Sequence, residues 1–127
     1  MATKFHLLTT DKDKITGGGG KDIFNGPLTG SGMFVVPTLS SDDVLDGGGG
    51  RDTVSADLDG VLIAPRLNNI EVGIFTHPTA EASVLNLAHA QQMKTLKLQD
   101  IQSNLIIENV QKITSFGISG YNGSTLE

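Results

Sequence analysis

Two glycine runs set thirty residues apart constrain this chain more than any other feature in it. Residues 17–25 read Gly-Gly-Gly-Gly-Lys-Asp-Ile-Phe-Asn, and residues 47–55 read Gly-Gly-Gly-Gly-Arg-Asp-Thr-Val-Ser. Both fit the nonapeptide G-G-x-G-x-D-x-U-x, in which U is a large apolar residue. Each follows a degenerate copy: Asp13 and Ile15 stand nine residues before Asp22 and Phe24, and Asp43 and Leu45 stand nine before Asp52 and Val54. One glycine-aspartate cluster would read as a flexible acidic turn. Four units in register, as two tandem pairs, read as a repeat.

Glycines let the backbone take positive φ, so the first six residues of each unit curl and turn carbonyl oxygens inward. The x-U-x segment is a short strand that sends one apolar side chain to the core and its neighbours outward. Carbonyls beside an aspartate are hard oxygen ligands, and Ca²⁺ takes six to eight of them at about 2.3 to 2.6 Å. One curl supplies about half of such a shell, so a second must stack on it. Two nonapeptides make a coil of 18 residues, and the offset of 30 therefore requires a 12-residue excursion, placed within residues 26–40. The expected calcium ligands are Gly17, Gly18, Gly19, Gly20 and Asp22 stacked on Gly47, Gly48, Gly49, Gly50 and Asp52. Asp11 and Asp13 against Asp42 and Asp43 form a weaker second edge, where side chains replace the glycines.

Other readings of the same residues fail on chemistry. A phosphate loop needs Ser or Thr after the lysine, and Asp22 stands there instead. The net charge is −5, with no basic cluster to displace phosphate counterions, which argues against a nucleic-acid partner. Nine of the 14 acids and 12 of the 16 glycines fall within residues 1–60, so acid and glycine are concentrated together. The absence of cysteine excludes disulfides, a thiol nucleophile and a thiolate zinc site. The apolar runs are far shorter than the roughly 18 residues that cross a bilayer, so no membrane insertion is expected. The first twenty residues lack the basic, apolar and small-residue order of a secretory signal peptide.

From residue 61 onward the pattern changes to alternating apolar residues at Ile70/Val72/Ile74, Leu85/Leu87, Leu96/Leu98, Leu105/Ile107 and Phe116/Ile118. Even spacing of many short strands points to a solenoid, sandwich or barrel, and the shortage of hairpin signals between them favours parallel coils. Within Ala80–Gln92 a short helix competes, with Ala82, Leu85 and Ala88 on one face, while Val84-Leu85-Asn86-Leu87 favours a strand. The expected fold is all-β: a right-handed parallel β-solenoid, with a calcium-binding β-roll over residues 1–60 carrying the inserted loop 26–40. Leucine-rich coils over residues 61–127 continue it.

These blocks, followed by Asn68-Asn69-Ile70-Glu71, Val84-Leu85-Asn86-Leu87-Ala88 and Thr95-Leu96-Lys97-Leu98, resemble the RTX-type repeat regions of bacterial S-layer proteins and large type I-secreted surface proteins. The resemblance implies export through type I secretion, an extracellular or cell-surface location, and ordering by calcium. It carries the carboxylate roles to Asp22 and Asp52 and the carbonyl roles to Gly17–Gly20 and Gly47–Gly50. The copy number is low, two pairs in place of a long array.

Catalytic patterns are missing. His6, His77 and His89 are dispersed, His77 is expected exposed in a turn before Pro78, and no G-x-S-x-G or H-E-x-x-H occurs. Asp42/Asp43 and Asp57/Asp59 could serve as paired acids for glycoside hydrolysis, but their glycine-rich setting fits ion binding better. The expected function is a calcium-binding structural module rather than an enzyme. Two alternatives stand beside it: an accessory domain of a secreted protease or polysaccharide epimerase that binds surface polysaccharide, and a module that self-associates through open solenoid ends.

Overall fold

Strands begin where the glycines end. In the computed structural model, which describes residues 3–29, 36–59, 62–77, 82–101, 105–110 and 112–121, the x-U-x segments form β3 (Asp22–Gly26) and β5 (Thr53–Asp57). Their upstream half copies form β2 (Lys14–Thr16) and β4 (Val44–Asp46). The remaining strands are β1 (Lys4–Leu7), β6 (Arg66–Asn68), β7 (Val72–His77), β8 (Ser83–Asn86), β9 (Thr95–Ile101), β10 (Leu105–Glu108) and β11 (Ser115–Tyr121). No helix occurs among the described residues, and within the stretch where a short helix competes Ser83–Asn86 form the strand β8.

All strand pairs are parallel. Six strands make the main sheet in the order β1-β3-β5-β7-β9-β11, and the other faces carry β2-β4-β6 and β8-β10. The chain is a parallel β-solenoid of about 5 turns. Its main-sheet register links Lys4 to Asp22, Ile23 to Thr53, Thr53 to Val72, Val72 to Thr95 and Thr95 to Ser115. Successive coils therefore hold 18, 30, 19, 23 and 20 residues while feeding one six-stranded ladder. In the longest, Thr29 and Val36 exchange antiparallel hydrogen bonds of 2.8 Å, and residues 30–35, in the middle of the expected excursion, lie outside the described set.

Two columns of the main sheet face inward. Phe24, Val54, Gly73 and Leu96 stand in register in one, and Gly26, Ala56, Phe75 and Leu98 in the other. Leu45 and Leu67 from the three-stranded sheet, and Leu85 and Ile107 from the two-stranded one, meet them in a single buried core. Each such side chain contributes roughly 1.5 to 3 kcal/mol when fully buried. Gly73 interrupts its column because a Cβ there would stand 2.7 Å from Met93 Cε and 2.8 Å from the Phe75 ring. Met93, wholly buried, fills that gap.

The structure corrects two expectations in β7. Ile74 is only half-buried, whereas Phe75 is wholly buried, so the inward phase is Gly73/Phe75 rather than Val72/Ile74. His77 is wholly buried, not exposed. The strand runs through His77, a register shift between Thr76 and His77 re-aims the chain there, and the ring reaches Ser83 Oγ at 3.1 Å. At the far edge Phe116 and Ile118 continue the two inward columns but are 49% and 41% exposed, since no strand follows β11 among the described residues.

Candidate metal centre

The two glycine curls lie on each other. Gly17 N–H donates to the Asp46 carbonyl at 2.6 Å, and Gly49 N–H donates to the Gly18 carbonyl at 3.0 Å. Gly48 and Gly50 have φ of 74° and 85°, the left-handed region in which a side chain is strained. A Cβ at Gly48 would also stand 2.5 Å from the Gly18 carbonyl oxygen, and one at Gly50 2.7 Å from that of Gly20. Backbone conformation and close stacking thus demand the same residue.

Beside the curls the acids form a ladder. Asp22 N–H donates to Asp52 Oδ1 at 2.7 Å, and Asp52 N–H donates to Glu71 Oε1 at 2.7 Å. Each carboxylate closes the backbone amide of the coil before it. Asp22 is 1% exposed; its Oδ2 accepts Gly18 N–H at 3.0 Å, and its Oδ1 lies 2.8 Å from His6 Nε2. The His6 ring in turn stacks on Phe24, with centroids 4.9 Å apart. Asp52 is fully buried, and its second oxygen, Oδ2, has no hydrogen-bond partner.

That oxygen sits in a notch beside Gly47. A Cβ at Gly47 would collide with Asp52 Oδ2 and with the Asn69 carbonyl oxygen. The first curl repeats the arrangement: a Cβ at Gly17 would stand 2.5 Å from Asp22 Oδ2 and 2.8 Å from the Gly47 carbonyl. Each notch is lined by a carboxylate oxygen and a carbonyl from the following coil.

Electrostatics separate the two aspartates. Burial pushes the Asp52 carboxyl up, opposed by the Asp22 amide and reinforced by the Glu71 and Asp22 charges. Hydrogen bonding to His6 holds Asp22 down despite its burial, with help from the Gly18 amide. Burial also raises Asp43.

The second edge is built differently. Asp13 N–H donates to Asp43 Oδ1 at 2.9 Å, repeating the ladder. Asp43 Oδ2 accepts Ser40 N–H, and the two oxygens of Asp13 accept Thr9 N–H and Thr9 Oγ1–H. Protein donors therefore reach all four oxygens. Asp11 and Asp42 are exposed and are not brought into this column.

Among the described residues no three His, Asp or Glu side chains converge as a metal cage. A cation at the glycine edge would draw most of its ligands from carbonyls of Gly17–Gly20 and Gly47–Gly50, with Asp22 and Asp52 as the carboxylates. This all-oxygen set, with one buried oxygen lacking a partner, fits a hard dication such as Ca²⁺. Such an ion would supply the partner that Asp52 Oδ2 lacks among the described residues.

Sequence reading missed His6, Asn69 and Glu71. His6 lies 18 residues before Phe24 and pairs with it, so the coil length could have placed it beside Asp22. Asn69 adopts φ 54°, standing where earlier coils use glycine, and Glu71 ends the ladder from a much shorter turn. Compared with protein families, with curated proteins and with solved structures, the chain gives no match.

Proposed function

We propose that this chain is a calcium-binding structural module of a secreted or cell-surface bacterial protein, of S-layer or RTX-adhesin type, ordered by Ca²⁺ after type I secretion. One observation carries the reading: Asp52 Oδ2 is buried with no hydrogen-bond partner, in the notch between Gly47 of the second curl and the Asn69 carbonyl of the following coil. Leaving a buried carboxylate oxygen unpaired costs about 1 to 3 kcal/mol or more, and a nearby dication offsets that cost. The Asp22, Asp52 and Glu71 column adds like-charge repulsion when no cation is present.

Calcium that binds only the folded coils stabilises them by RT ln(1+[Ca]/Kd), about 2.7 kcal/mol at a hundredfold excess. Where calcium is scarce, inside the cell, the acidic coils remain loosely ordered for export. Where it is abundant, outside, they close.

Calorimetric titration with Ca²⁺ after chelation, paired with thermal melts by circular dichroism, tests this. The expected result is saturable binding and a Tm raised by several degrees, with Mg²⁺ a poor substitute because it dehydrates reluctantly. No binding heat and an unchanged Tm would refute it.

A further inference from the structure

A groove of about 430 Å³ opens at the corner between the three-stranded sheet and the main sheet. Three successive coils line it: Asp46 from one, Arg66, Asn68 and Asn69 from the next, and His89, Gln91 and Gln92 from the third. Adjacent strands are about 4.8 Å apart, so three coils span about 10 Å, the reach of a disaccharide. Its volume lies in the range of small-molecule sites.

The chemistry of the lining is selective. Four side-chain amides, a guanidinium, an imidazole and a carboxylate make up the lining, which disfavours an apolar ligand and suits one dense in hydroxyl groups. Part of this set is held in place: Asp46 Oδ1 accepts Asn69 Nδ2–H and Gly48 N–H, each at 2.9 Å, and Gln92 Oε1 accepts Asn69 N–H at 3.4 Å. The Arg66 guanidinium and the Asn68 and Gln91 side-chain amides bond to nothing among the described residues. An unpaired guanidinium offers the bidentate fork that matches a carboxylate.

We infer that this groove binds one or two units of an acidic polysaccharide. Arg66 takes the sugar carboxylate, and Asp46, Asn68, Gln91 and Gln92 take ring hydroxyls. None of these groove residues is itself an expected calcium ligand, and Asp46 meets the curls through Gly48 N–H and Gly17 N–H; sugar binding in calcium-containing buffer and calorimetric Ca²⁺ binding are read separately, so either can fail alone.

Side-chain amide resonances of the full chain, followed by ¹H–¹⁵N NMR in calcium-containing buffer, report on it directly. The probes are digalacturonate, the neutral disaccharide cellobiose, acetate and inorganic phosphate. Digalacturonate is expected to shift the Asn68, Gln91 and Gln92 amides saturably, and cellobiose to do so much more weakly. Arg66→Gln, at an exposed position, should keep the spectrum of the folded protein and weaken digalacturonate binding about tenfold. Gln91→Ala should weaken both sugars. Absence of shifts at these amides, equal shifts with acetate or phosphate, or cellobiose binding as tightly as digalacturonate would each overturn the assignment.

Discussion

Asp52 and Asp22 occupy equivalent places in consecutive coils and respond to acid in opposite senses. Burial raises the Asp52 carboxyl, so between its unfolded and folded pKa values the folded state holds more protons than the unfolded state. Ionised Asp52 consequently lowers stability at neutral pH, and the loss is relieved as pH falls through the raised value. Asp52→Asn keeps an oxygen for the Asp22 amide and removes the buried charge. It should therefore maintain or raise the calcium-free Tm while abolishing the calcium-induced increase, as melts with and without chelator will report. Asp22 has its carboxyl held down, chiefly by His6, so its contribution is complete above its unfolded pKa and disappears as pH falls through the lowered one. His6→Ala should move the acid-unfolding midpoint to higher pH, followed by circular dichroism.

Glycines that look alike in the sequence do different jobs in their elements. Gly47→Ala forces a Cβ against the Asn69 backbone carbonyl and against the Asp52 carboxylate, which cannot move without breaking its bond to the Asp22 amide, and should cost roughly 3 kcal/mol. Gly73→Ala meets the flexible end of Met93 and the Phe75 ring, and should cost roughly 1 to 3 kcal/mol as overpacking. Urea denaturation at constant m value separates the two. These elements also explain what could be read in advance. The curls, their stacking partners and the inward Phe24 and Val54 follow from spacing alone, because each unit carries its own glycine, acid and apolar marks. The phase of β7 was hidden since Gly73 contributes nothing to a hydropathy pattern, leaving Val72 and Ile74 to suggest the wrong face. Glu71 was hidden because its turn is shorter than a glycine curl, so no fixed period from Asp52 leads to it.

Across the whole molecule each coil is supported only by its neighbours, so stability is a sum of coil and interface contributions. Without calcium, hydrogen exchange should be fast at Gly17–Asp22 and Gly47–Asp52 and slow in β7 and β9, whose columns are filled by Phe75, Leu96 and Leu98. Adding calcium should slow the curls and leave β7 and β9 nearly unchanged, as mass spectrometry of exchanged peptides will show. The main sheet accepts coils of 18 to 30 residues in one parallel ladder, with one register shift, between Thr76 and His77. Backbone pairing, with its fixed spacing, acts as a ruler, and in the longest coil the antiparallel Thr29–Val36 bridge draws the two sides of the surplus together. A chain organised like this changes most readily by whole laps: a tandem duplicate of residues 72–94 would set the copied strand between β7 and β9 and lengthen the rod by one rung, replacing that one pairing and leaving the rungs before it as they were.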